Sequence, residues 1–124
     1  MSLKANTIDE VLVDPKKLTV YRLESRPKEG GRGVLVRVAE PNNYDVTPET
    51  WNVRSGVHAY GGAAATVYDG TAYFSNMSYS LDGKIVTDGK VYQVMDDGKP
   101  HVPTAITPGK SLYEIFVGLM LIFK

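Results

Sequence analysis

The chain has no cysteine, which excludes a disulfide framework, a thiolate metal site and a cysteine nucleophile, and fits a reducing compartment. Charge of one sign is also lacking. Lys plus Arg and Asp plus Glu stand at 14 each, so no net field draws the chain to nucleic acid or an anionic membrane surface. Only two histidines occur, His58 and His101, too far apart for any ligand spacing; Asp82, Asp88, Asp96 and Asp97 form no calcium loop and read as turn formers. No metal and no other cofactor is expected. No G-x-S-x-G elbow is present: Ser55 precedes Gly56, but the glycine two residues before the serine is missing, so no catalytic residue is expected. The start, MSLKANTIDEVLV, carries no apolar run behind a basic region, which leaves a cytoplasmic address as the expectation and Asn76-Met77-Ser78 a silent glycosylation pattern. Helical periodicity is absent up to Asp97-Gly98.

What is present are short strand-like runs divided by Gly, Pro and Asp, on a length of 124 residues that suits one small domain. Residues 1–10 are polar and expected to fray. Val11–Val13 ends at Asp14-Pro15, and Leu18–Glu24 reads as a half-buried strand with Leu18, Val20 and Arg22 in alternation. Ser25–Gly33 holds a proline and three glycines, a hairpin loop from which Val34–Val38 returns. Residues 40–48 read as loop, closed by Thr47-Pro48. Ala63–Tyr68, Asp69-Gly70 and Thr71–Ser75 form the strongest hairpin, because Asp-Gly accepts the positive φ of a type I′ turn. Further on, Lys84–Val86, a turn at Asp88-Gly89 and a strand at Lys90–Met95 are expected, with Asp97-Gly98 closing the segment.

VLVRV followed by YDVTP returns as VYQVM followed by TAITP, with Thr-Pro pairs at 47 and 107. Short antiparallel strands repeated with the same punctuation predict an all-β chain, its hairpins forming the first one or two blades of a β-propeller over residues 11–109. A single small β-sandwich is the alternative.

Three ordered stretches then resemble a known family. ESRPKEGGRGVLVRV at Glu24–Val38, TPETWNVRSGVHAYGG at Thr47–Gly62 and DGTAYFSN at Asp69–Asn76 are similar to the start of the N-terminal propeller of prolyl oligopeptidase family serine peptidases, in the acylaminoacyl-peptidase and dipeptidyl-peptidase branch. The likeness spans roughly residues 8–108. It departs at Ala59, where the family wording around the glycine pair is His-Glu-Tyr-Gly-Gly, and in a longer segment between Asn76 and Lys90. The resemblance implies a propeller that filters short peptides by size before a separate α/β-hydrolase domain, which with further blades would be this chain's partner.

Arg54, His58 and Tyr60 are expected to brace the loop by hydrogen bonds, with Gly61 and Gly62 a backbone necessity rather than a phosphate cradle. Glu24, Arg26, Glu29 and Arg32 read as a solvated or locally paired surface of alternating charge, each pair worth little. Residues 110–124 break with what precedes them and are almost continuously apolar from Leu112 to Phe123, too short to span a bilayer and unlike the family. It is expected to form a short helix on exposed strands of a truncated product, which would self-associate through open strand edges. The expected function is therefore noncatalytic peptide gating, or else that of a stand-alone β interaction module.

Overall fold

The computed structural model describes residues 5–54, 64–79, 82 and 85–106. Its strands form two antiparallel four-stranded sheets, each with its strands in sequence order. The first holds β1 (Thr7–Val13), β2 (Val20–Arg26), β3 (Arg32–Arg37) and β4 (Tyr44–Asp45). The second holds β5 (Ala65–Tyr68), β6 (Thr71–Tyr79), β7 (Ile85–Met95) and β8 (Thr104–Ala105). The mostly β expectation holds. Among the described residues the only helical piece is a 3₁₀ turn at Pro27–Glu29, within the expected glycine-rich hairpin loop. The Asp69-Gly70 turn also forms as expected, with φ of 50° and 79° at its two central residues.

Five local readings change. Residues 40–48 are not all loop, because Tyr44–Asp45 form β4 beside β3, with Asp45 opposite Val36 and Tyr44 opposite Arg37. Residues 7–10 are not frayed, because β1 pairs with β2 from Thr7 opposite Ser25, and Asp9 accepts from the Ser25 hydroxyl at 2.5 Å. On β2 the buried face is the other one. Tyr21 and Leu23 are inside, while Leu18 sits in the preceding turn at φ 60° and Val20 faces outward. A one-residue change of phase exchanges the two faces of any strand. Asp88-Gly89 makes no turn, since β7 runs through it: Ser75 pairs with Val91 and Met77 with Thr87, leaving 88–90 as a bulge. The repeat, finally, is offset by one residue. Val36 lies opposite Asp45 and Tyr92 opposite Ala105, so LVRVA rather than VLVRV is the counterpart of VYQVM.

The core lies between the sheets. Tyr21, Leu23, Leu35 and Val46 of the first sheet and its exit meet Ala65, Val67, Ala72, Phe74 and Val94 of the second, with Val53 and Ala64 from the crossover.

Backbone hydrogen bonds tell which face each sheet turns inward. Along a strand of L-residues, amides point alternately to the two neighbouring strands as side chains alternate between the two faces, so amide direction fixes side-chain face. On the third strand of the first sheet, Leu35 points inward and its backbone bonds toward the β4 side, through Thr47 Oγ1 and the Val46 N–H. On the third strand of the second sheet, the Val91 carbonyl bonds toward β8 by accepting from Ile106, so the inward residue Tyr92 bonds toward β6. Unlike faces therefore meet. The second strands agree: Val20 and Phe74 both bond toward the third strand, yet Val20 faces outward and Phe74 inward. The sheets are thus stacked head to tail, with unlike faces in contact, and not face to face about a two-fold axis.

Candidate functional site

The chain leaves β4 along the edge of β3 before crossing to β6, and its residues 46–54 bond to both sheets. Val53 donates its N–H to the Gly33 carbonyl at 2.9 Å, and Asn52 Oδ1 accepts from the Gly33 N–H at 2.8 Å. On the other side, the Asn52 N–H donates to Asn76 Oδ1 at 2.8 Å and its carbonyl accepts from Met77 at 2.9 Å. Asn52 thus ties β3 to β6. Gly33 allows this approach, because a Cβ there would sit 2.2 Å from the Val53 carbonyl oxygen.

Arg32 closes the joint from below. Its Nη1 donates to the Pro48 and Trp51 carbonyls at 2.8 and 3.0 Å, while Nε and Nη2 hold Glu29 Oε1. The Arg32 guanidinium, through those bonds, keeps the Glu29 carboxyl below its ordinary value. Trp51 lies edge-on to Phe74 and Tyr92, with centroids 5.9 and 4.8 Å away, so the same segment also seals the core.

At the opposite end, Asp14 is fully buried between the sheets. Burial pushes its carboxyl up, but N–H donors from Gly70, Lys17, Lys16 and Asp69 outweigh that and hold it below its ordinary value. Tyr21 donates to Asp96 Oδ2 at 2.8 Å, and Arg37 Nη1 lies 3.2 Å from Oδ1 as an ion pair without hydrogen-bond geometry. Burial and then the Asp96 acceptor push the Tyr21 phenol up. Asp96 is consequently an inter-sheet anchor, where a plain turn former was expected.

The charged residues of the first hairpin are locally paired, as one of the two readings had it, but Glu24 and Arg32 are buried and not on the surface. Glu24 is 2% exposed and accepts from the Nε atoms of Arg22 and Arg26, each at 2.7 Å. Arg26 also grips Asp45 with both terminal nitrogens at 2.7 Å, which holds the Asp45 carboxyl down.

Of the expected bracing residues, Arg54 is described: its N–H donates to Ser75 and its Nη2 to the Gly31 carbonyl and Ser25 Oγ. His58, Tyr60, Gly61 and Gly62 lie outside the described residues, as do Ser55, Ala59 and the 110–124 tail. His101 lies on the surface beside Asp97 at 2.8 Å. Among the described residues no cluster suits a metal ion, and no helix is long and apolar enough to cross a membrane. Asn76 is an acceptor at the joint, a role the sequence reading did not give it. Asn52 had no signal, since its partners Gly33 and Asn76 are 19 and 24 residues away.

The three stretches that carry the family resemblance converge here. Arg32 and Gly33 come from the first, Asn52 to Arg54 from the second, Ser75 and Asn76 from the third. Chemically, the arrangement fixes one sheet against the next. No family model, curated protein or solved structure matches the chain.

Proposed function

We propose that the chain is a noncatalytic pair of β-propeller blades akin to those of prolyl oligopeptidase family serine peptidases, and that it walls the path of short peptides to a separate α/β-hydrolase domain. The head-to-tail stacking of the two meanders carries this reading. Unlike faces in contact leave one face of each type free, so the same rotation can add further sheets and close a ring, whereas a two-fold sandwich uses up its matching faces. The peptidase part of the reading rests on the three resembling stretches. Their convergence on one joint supports it, because residues that set the angle between blades are those a propeller needs at fixed places. A wall that filters by size must also be rigid, and the joint is cross-braced by the hydrogen bonds of the buried Arg32 and Asn52 side chains and by the Asn76 acceptor.

A self-contained β interaction module is the second reading. One observation favours it: among the described residues the main apolar cluster draws on both sheets and the segment that joins them.

The test is twofold. A transcript that continues past Pro108 into further strand repeats and a G-x-S-x-G region supports the blade reading, and a reading frame that stops at Lys124 favours the module. Purified chain treated with a fluorophosphonate probe and acylaminoacyl or dipeptidyl chromogenic substrates should show neither labelling nor turnover. Hydrolysis abolished by the probe would overturn the noncatalytic assignment.

A further inference from the structure

Backbone pairing lets each position of the first sheet be matched to its counterpart in the second. Val13 lies opposite Val20 as Val67 lies opposite Ala72; Val11 lies opposite Arg22 as Ala65 lies opposite Phe74; Val38 bonds to Val20 as Val94 pairs with Ala72. The second-sheet members of this set are buried by the first sheet: Ala65, Val67, Ala72 and Val94 are 1, 4, 0 and 2% exposed. Their counterparts Val11, Val13, Val20 and Val38 are 63, 53, 39 and 39% exposed. Four valines at one end of this face thus stand uncovered where the same lattice, one sheet along, is covered; farther along it Val34 and Val36, the latter the counterpart of Tyr92, are already buried at 0 and 1%. Scattered exposed apolar residues need no explanation, but a contiguous set matched to a core does.

The chain also contains the face that would cover them. On the outside of the second sheet, Thr66, Tyr73, Gln93 and Thr104 occupy the positions that Leu12, Tyr21, Arg37 and Tyr44 hold on the covering face of the first. The tyrosine is kept. Within the chain Tyr21 donates to Asp96, two residues beyond Val94. Two residues beyond Val38, its counterpart, stands Glu40, an exposed carboxylate at the place of Asp96. A second sheet stacked by the same rotation would bring the Tyr73 phenol to Glu40.

We infer that the outer face of the first sheet, with Val11, Val13, Val20, Val38 and Glu40, is a docking surface for the outer face of the second sheet of another copy of this chain. The contact is head to tail and repeats the internal one. It rests on the stacking geometry and not on the peptidase resemblance. A heterologous contact does not stop at a dimer, so association proceeds to larger species with concentration.

Sedimentation velocity of the full chain over a concentration series tests this. The wild type should form species beyond the dimer, and the double substitution Val20→Glu with Val38→Glu should remain monomeric with an unchanged circular dichroism spectrum. Val11→Lys on the same face repeats the test if the glutamate pair lowers the melting temperature. Because the chain lacks cysteine, disulfide trapping is unambiguous. Glu40→Cys chains mixed with Tyr73→Cys chains should cross-link, and neither should cross-link alone. A wild type monomeric throughout, association untouched by the face substitutions, or Glu40→Cys chains cross-linking to themselves would each overturn the inference. None of these results depends on whether the chain comes from a peptidase.

Discussion

Gly33 and Asn52 hold the joint by opposite means, one by having no side chain and the other by the reach of its own. Gly33→Ala forces a Cβ into the Val53 carbonyl, where backbone rather than a flexible side chain must give way, and is expected to lower stability by about 3 kcal/mol in urea denaturation. Asn52→Ala removes the acceptor for a buried N–H, and a loss of about 1–3 kcal/mol follows from leaving that donor unpaired. Asn52→Asp keeps an acceptor for Gly33 but sets a charge between the sheets, so it should rescue the alanine variant only in part. Neither residue's role was legible in the sequence. Gly33 read as the last glycine of a loop, and nothing local marks Asn52, since hydrogen bonds between distant segments leave no periodicity. Arg32 and Glu24 were misread for a related reason: a charged residue in a polar stretch looks solvated until the chain that covers it is known.

At the scale of elements, the same dipeptide has two fates. Asp69-Gly70 reverses the chain because β5 and β6 pair directly on either side of it, whereas Asp88-Gly89 bulges within β7 because β6 is long enough to pair both before and after it. The turn was legible from Asp-Gly between apolar runs, and the bulge was not, because the partner strand decides it. For the turn, Gly70→Ala is expected to cost about 1–2 kcal/mol, set by its φ of 79°, since the nearest contact is the movable end of Lys17. Asp69→Asn, which tolerates the left-handed region equally, should change stability by less than about 0.5 kcal/mol, read from the denaturation midpoint. On β2 the sequence offered two alternations, Leu18 with Val20 and Tyr21 with Leu23. Only the second meets Leu35 across the sheet and Phe74 across the core, and that tertiary choice outweighs local pattern.

For the whole molecule, stability is tied to carboxylates that fix the sheets. Asp14, Glu29 and Asp45 are each held below the ordinary carboxylate value in the fold, so their contribution is fully present above the unfolded value of about 4 and is lost as pH falls through the folded ones. The urea midpoint should therefore fall steadily below about pH 4, and Asp14→Asn should flatten that dependence while lowering stability at neutral pH. A midpoint unchanged down to about pH 2 would contradict the roles assigned to these groups. The repeat of strands was visible in the sequence, but not the direction in which its copies stack, because that depends on which neighbour each amide bonds to. Head-to-tail stacking is the claim on which both the blade assignment and the docking surface stand. Its most direct test is a methyl and aromatic NOE spectrum of the full chain in the dilute, monomeric limit. The account predicts contacts from Leu23 and Leu35 methyls to the Val67, Phe74 and Val94 cluster, with the Val20 and Val38 methyls silent toward the second sheet; contacts from Val20 or Val38 to Phe74 or Val94, with Leu35 silent, would contradict it.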